Sequence, residues 1–314
     1  MPPAPKPAPR SPRSVMDLDA DNIAAAFEIE GAPVRGRIVR LGTVVDEILR
    51  RHAYPEAVAN LLGEACTLAV LVGASLKIEG RLILQAQGDG PVRYVVADYD
   101  TTGGLRGYAR FDADAVAALD HEWARPGAET LLGKGTFAMT IDQGPDMDRY
   151  QGITPIEGET LALCAEHFFM QSEQVPTHVR LATIEMAEPG CLPCWRSGGL
   201  MIQRVADDTA RGSTQEAWER AEILFTTLAD DELADAALSA DQLLFRLYHE
   251  DGVRMFEPLG IEARCGCSEE KVTSMLSRFS ADDRVGMDDG NGHIHVTCEF
   301  CSRAYDIDPS SLPQ

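Results

Sequence analysis

Apolar and polar residues alternate over "PVRGRIVRLGTVVDEILRRH", with Val34, Gly36 and Ile38 set against Arg35, Arg37 and Arg40. The spacing then changes to three and four at Val44, Val45, Ile48 and Leu49, which predicts a strand leading into a helix. From Pro55 onward, Val58, Leu61, Leu62, Ala65, Leu68, Ala69 and Val72 recur at helical spacing, with the proline near the first turn. "RLILQAQGDGPVRYVVADYD" reads as two β segments around a "GDG" turn, and "LRGYAR" and "GTFAMTID" add further strands. In "YQGITPIEGETLALCAEHFFMQSEQVPTHVRLATIEM" the pattern gives a loop, a helix over about 159–171 and a strand after Pro176.

Near residue 206 the alternation stops. Two capping-box signatures, Ser213 with Glu216 and Ser239 with Gln242, each precede an amphipathic stripe. The first stripe is Ala217, Ala221, Leu224, Phe225 and Leu228; the second is Leu243, Leu244, Leu247 and Tyr248. Helices this short are marginal alone, so their apolar faces must pack on another part of the molecule. The expected architecture is an α/β (α+β) N-terminal domain with mixed sheet and helices, a helical linker and a small zinc-binding C-terminal domain. The boundaries are a disordered tail at 1–22, the core at 23–205, the linker at 206–258 and the C-terminal module at 259–314.

Composition changes this picture in one direction. The 314 residues include 28 Lys and Arg against 50 Asp and Glu, a net charge of −22 that repels nucleic-acid backbones and anionic lipid surfaces. Apolar runs such as "LAVLVGASL" fall short of the roughly 20 residues that span a bilayer. The Pro-rich, basic start carries no continuous apolar segment and is not read as a secretory signal. A reducing cytoplasm follows as the expected location, where paired cysteines hold metal or sense redox state rather than forming structural disulfides.

Four of the eight cysteines form two tight pairs, Cys265 with Cys267 and Cys298 with Cys301. Each pair can present two thiolates from one tight turn, and four thiolates complete a tetrahedral zinc site. Gly266 relieves the first turn on this reading, and "HIHV" and "RAYDI" form a hairpin with the second pair at its tip. Between the pairs, Val272, Met275, Leu276 and Phe279 share one face of a helix predicted over 268–279. A module of roughly 50 residues needs such a staple. The spacing fits a permanent zinc ribbon as well as a switch. His293 and His295 could stand in as ligands, but four cysteines already suffice.

The remaining candidates are weaker. Cys66 and Cys164 lie on apolar helix faces and read as core thiols. "CLPCW", with Cys191 and Cys194, resembles a redox Cys-x-x-Cys, yet "RSGG" follows where a helix N-terminus would have to lower the thiol pKa. A loop pair open to incidental oxidation is the expectation there. "GAETLLGKGT" misses the phosphate-loop spacing by one residue and has Gly135 where the magnesium-binding hydroxyl belongs.

The segments "RLGTVVDEILRRHAYPEAVANLLGEA", "LKIEGRLILQAQGDGPVRYVV", "GGLRGYAR", "YQGITPIEGETL", "SEQVPT" and "WRSGGLMIQ", followed in order by the two C-terminal pairs, resemble the 33 kDa heat-shock chaperone family, the redox-regulated bacterial holdases. The likeness runs from about Val34 to Ile307 and leaves out the N-terminal tail and the pair Cys191 and Cys194. It implies an ATP-independent chaperone that binds unfolding proteins under oxidative and heat stress, with no enzymatic activity. It further implies one zinc ion held by Cys265, Cys267, Cys298 and Cys301 in the reduced, inactive form. Oxidation by hypochlorite, or by peroxide with heat, is then expected to form the disulfides Cys265–Cys267 and Cys298–Cys301, expel zinc, release the linker helices and yield an active homodimer.

Two rivals remain. A zinc-ribbon nucleic-acid binder is opposed by the module's own charge, since residues 261–314 carry five basic against ten acidic side chains, net −5. A thiol-disulfide oxidoreductase would rest on Cys191 and Cys194.

Overall fold

The computed structural model describes residues 21–312, apart from 77, 120–124, 145–146, 188–191, 206–213, 281–282, 285 and 288–291. Its strands are β1 (Asn22–Ile29), β2 (Val34–Leu41), β3 (Arg81–Gly88), β4 (Val92–Asp100), β5 (Gly104–Phe111), β6 (Gly135–Asp142), β7 (Tyr150–Pro155), β8 (Thr177–Met186), β9 (Cys194–Arg204), β10 (Val253–Met255), β11 (Leu259–Gly260), β12 (Glu262–Ala263), β13 (Ile294–Thr297) and β14 (Ala304–Ile307). Its helices are α1 (Thr43–Arg50), α2 (Glu56–Gly73), α3 (Ala113–Leu119), α4 (Ala128–Leu132), α5 (Leu161–Ser172), α6 (Thr214–Thr226), α7 (Asp230–Ala234), α8 (Ala240–Tyr248) and α9 (Glu269–Leu276).

Two six-stranded sheets lie on either side of α2. The first runs β10-β1-β2-β9-β8 with β11 also paired to β1, and the second runs β12-β5-β4-β3-β6-β7. Their pairs are antiparallel except β12 with β5. Helix α2 is apolar nearly all round because it is covered on both sides: its residues share one core with Val39 and Met201 of the first sheet and Leu84 and Val95 of the second. By length and composition α2 could cross a membrane, longer than the apolar run singled out in the sequence, yet most of it is buried inside the protein.

The period-two alternation of the first sheet then sends every other residue to its opposite face. Ile23, Ala25, Phe27, Ile38, Leu200 and Ile202 point away from α2, and α6, α7 and α8 cover them. The linker supplies Ala221, Phe225, Leu228, Leu243, Leu244 and Tyr248 of the predicted stripes to this second core, together with Trp218, which the stripe did not include; Ala217, Leu224 and Leu247 are only partly buried. The Ser239 cap forms as expected, with the Gln242 side chain accepting the Ser239 N–H at 3.1 Å. Ser213 lies outside the described residues.

Some local readings differ from the sequence expectation. "YQGITP", expected as loop, is edge strand β7 on β6, and its position at the sheet edge tolerates the missing N–H of Pro155. Cys194, expected in a loop pair with Cys191, instead opens the interior strand β9, and "RSGG", in which the sequence opposes a helix, continues it. The two glycines are required there by close approach: a Cβ on Gly198 would lie 2.1 Å from the Leu233 carbonyl of α7, and one on Gly199 2.7 Å from Thr67 of α2. Arg40, placed on the polar side of β2, is buried at 2% exposure, where its guanidinium donates to the Asp235 carbonyl beyond α7. Strand β1 starts at Asn22, the last residue of the stretch read as a tail, and its alanine-rich "NIAAAFEI" gave no strand signal.

Candidate metal centre

The C-terminal module is built on little apolar material. Among the described residues its core comprises Leu276, Ile294, Tyr305, Ile307 and Leu312. Helix α9 starts where expected, with the Ser268 hydroxyl accepting the Lys271 N–H at 3.4 Å. Leu276 is buried, but Met275 and Phe279 on the predicted apolar face stay 45% and 41% exposed. Strands β13 and β14 form the expected hairpin, pairing Ile294 with Ile307 and Thr297 with Ala304.

At the tip of that hairpin the Cys298 N–H donates to the Arg303 carbonyl at 2.9 Å, and the Ser302 N–H donates to the Cys298 carbonyl at 2.8 Å. Ser302 adopts a left-handed φ of 57°, so the tight turn is made there. Gly266 is not in that region, and a Cβ on it would make only ordinary contacts, Lys271 Nζ at 3.4 Å and Arg81 Nη2 at 3.9 Å. The turn in the first pair therefore does not demand glycine, contrary to the expectation.

The four sulfurs of Cys265, Cys267, Cys298 and Cys301 lie within 4.8 Å of one another. Cys265 is 3.7 Å from Cys298, and Cys267 is 3.3 Å from Cys301. Four thiolates at tetrahedral zinc–sulfur distances stand about 3.8 Å apart, so this spacing fits a metal tetrathiolate. The four sulfurs are free thiols. The donor chemistry points the same way. Although burial acts against it, the Tyr305 hydroxyl, 3.1 Å away, and the neighbouring thiols bring Cys267 down to about 7, whereas burial and the adjacent sulfurs push Cys301 up to about 12. One thiolate thus hinders the next, and a divalent cation is what allows four to coexist.

His295 is turned away from the sulfurs and pairs with Asp306 at 2.7 Å; neither it nor His293 joins the cluster. Cys66 and Cys164 are fully buried, and burial pushes Cys66 up to about 12, as inert core thiols require. Cys191 lies outside the described residues. Cys194 opens β9, exposed and opposite Met186 rather than at a helix N-terminus.

Nothing in the spacing along the chain marked the groups that surround the cluster. Arg106 of β5 is bound to Asp98 of β4 through Nε at 2.8 Å and Nη2 at 2.5 Å. Its Nη1 reaches Cys265 Sγ at 4.0 Å, and its guanidinium lies 4.1 Å from the Phe300 ring centroid. Phe300, between Cys298 and Cys301, also meets Tyr108 of β5 at 6.4 Å. Arg106 falls within the quoted "GGLRGYAR", but nothing in its spacing linked it to residues some 160 positions later.

The fold and site define a two-sheet α+β protein whose covering helices precede a four-cysteine knuckle, and comparison with known proteins identifies its family. The family described as Hsp33 protein matches residues 23–308. A 33 kDa chaperonin of Caulobacter vibrioides (strain NA1000 / CB15N) is 61% identical over 289 residues, spanning 92% of this chain and 95% of that protein. One from Neisseria gonorrhoeae (strain NCCP11945) is 35% identical over 286 residues, spanning 91% and 88%. The crystal structure of the Thermotoga maritima 33 kDa chaperonin superposes with a TM-score of 0.74 at 22% identity, covering 92% of this chain and 96% of that one. The chain belongs to the Hsp33 chaperone family.

Proposed function

We propose that this chain is a redox-regulated, ATP-independent holdase that captures unfolding proteins and keeps them from aggregating under oxidative and heat stress. The observation that carries the reading is the convergence of four sulfurs within 4.8 Å in a module with a small apolar core, in a chain that also has a large apolar sheet face covered by linker helices. In the reduced state Cys265, Cys267, Cys298 and Cys301 hold one zinc ion, whose charge keeps four thiolates together and the module folded.

Oxidation converts Cys265 with Cys267, and Cys298 with Cys301, into two disulfides. Each pair gives up two electrons, and hypochlorous acid accepts them to become chloride and water. A disulfide within Cys-x-Cys is tight and correspondingly easy to reduce again. Without its metal the module (259–314) unfolds, the linker (206–258) loses support, and the apolar face of the core (23–205) opens to clients. The active form is a homodimer in the cytoplasm. It neither turns over a substrate nor binds nucleic acid or membranes, in keeping with a net charge of −22.

The test follows zinc content, cysteine connectivity and suppression of client aggregation together, before oxidation, after it and after added reductant. Zinc loss, the two named disulfides and a rise in holding that reductant reverses are expected. Holding that does not change as zinc leaves would defeat the reading.

A further inference from the structure

The two cysteine pairs and the second sheet meet at a single side chain. Arg106 projects from β5, and both of its short bonds go to one oxygen of Asp98, a carboxylate only 5% exposed that also faces Arg81 at 3.5 Å. A guanidinium held this way is fixed in orientation. Its free edge then reaches Cys265 Sγ of the first pair at 4.0 Å, and its plane lies 4.1 Å from the centroid of Phe300, inside the second pair. The same cation touches both halves of the cluster from outside the module.

We infer that Arg106, anchored by Asp98, is a positioning residue that clamps the four-cysteine centre to the second sheet and sets how readily Cys265 is released from the metal. This rests on the reading that the four cysteines bind zinc. A tetrathiolate around a divalent ion keeps a net charge of about −2, within a chain that is already strongly acidic. A fixed guanidinium offsets part of that charge at one sulfur, drawing electron density from it and lowering its exposure to attack. Stacking on Phe300 holds the second pair against the same cation. Lysine could supply the charge but neither the two fixed donors on one Asp98 oxygen nor the flat face for Phe300. Cys265 is therefore protected by a neighbour that Cys267, which receives the Tyr305 hydroxyl instead, does not have.

The experiment uses reduced, full-length protein. Zinc transfer to a chromogenic chelator and the order in which the cysteines react with iodoacetamide are read for the wild type, Arg106→Lys and Arg106→Met. Losing one charge-assisted hydrogen bond should speed transfer from Arg106→Met about tenfold, with Cys265 alkylated ahead of the other three. Arg106→Lys should fall between this variant and the wild type. Unchanged transfer in Arg106→Met overturns the inference, as does acceleration shared evenly by all four cysteines or an Arg106→Lys variant as fast as Arg106→Met. Should Arg106→Met fail to fold with Asp98 left facing Arg81, the double variant Asp98→Asn/Arg106→Met removes the stranded charge and is read by the transfer and alkylation outcomes for Arg106→Met. A wild type that binds no zinc refutes the zinc reading itself and is seen before any variant is made.

Discussion

The covered face of the first sheet and the C-terminal module are stabilised by different means. On the sheet face, among the described residues, 19 buried side chains from two layers interlock, including Phe27, Trp218, Phe225 and Tyr248. Among the described residues the module's own apolar cluster has five, and its sulfurs stand where a larger protein would have more hydrocarbon. Hydrophobic burial is spread over many contacts and declines gradually when one is lost. Metal binding is concentrated in one ion, so its loss is all or none. The smaller unit is therefore the one whose stability hangs on a single event.

Polar contacts also tie the helical cover to the sheet. The C-terminal carbonyls of α7 point at cations of the first sheet: Arg196 Nε donates to Ala234 at 2.7 Å and Arg40 to Asp235, while Arg196 grips Asp21 through two further bonds. His178 of β8 sits between Glu222 of α6 at 2.7 Å and Glu166 of α5 at 3.7 Å, stacked on Trp218.

The sharpest challenge to the contrast is metal removal under reducing conditions. Structural zinc contributes about 10–16 kcal/mol of apparent binding free energy. Chelation should therefore abolish hydrogen-exchange protection in α9, β13 and β14 while leaving α2 protected; equal loss in α2 would mean the module and core are one cooperative unit. Next in size is Phe225→Ala. Truncating a buried phenylalanine costs about 3–5 kcal/mol, here taken from the cover alone, so the reduced, zinc-loaded protein should hold clients without oxidant. Client holding that stays at the wild-type reduced level would show that the cover does not gate the sheet face.

A smaller effect comes from pH. Pairing with Glu166 and then Glu222 outweighs burial and raises His178 to about 9 from 6.5, and burial followed by Asp230 raises Glu64 to about 8. For both groups the protonated form is favoured by folding. His178 contributes fully below about 6.5 and Glu64 below about 4.5, and each contribution is lost as pH rises through the raised value. Exchange protection in α6 and α7 should accordingly fall between about pH 6.5 and 9 more than in the β3–β4 hairpin, and His178→Gln should flatten the part due to the imidazole. A cover that tightens as pH rises would reverse the sign. The smallest expected effect is that of Cys194→Ser at the exposed start of β9, which should leave zinc content and stress-activated holding unchanged.

What was legible in the sequence tracks how local the cause is. Helix α2, the β3–β4 hairpin and the linker stripes were readable because period and turn chemistry lie within a few residues. The four cysteines were readable because knuckle spacing is itself short-range. Strand β9 was missed because Gly198 and Gly199 have a rationale only in Leu233 and Thr67, which pack on it from opposite faces. Arg40 was misplaced because its partner, the Asp235 carbonyl, is 195 residues away. Arg106 was unrecognised for the same reason, since its contact with Cys265 spans 159 residues.

One short stretch now acquires a meaning of its own. Between the helical cover and Cys265 the chain is stitched into both sheets, with β11 on β1, Ile261 in the main core and β12 alongside β5. Fraying that starts at the knuckle therefore runs into a rivet before it can reach α8. Loss of the fold beyond Cys265 and lifting of the cover are therefore separable steps: the five residues from 259 to 263 are the last of the module to go, and they must shear from both sheets before α8 is freed.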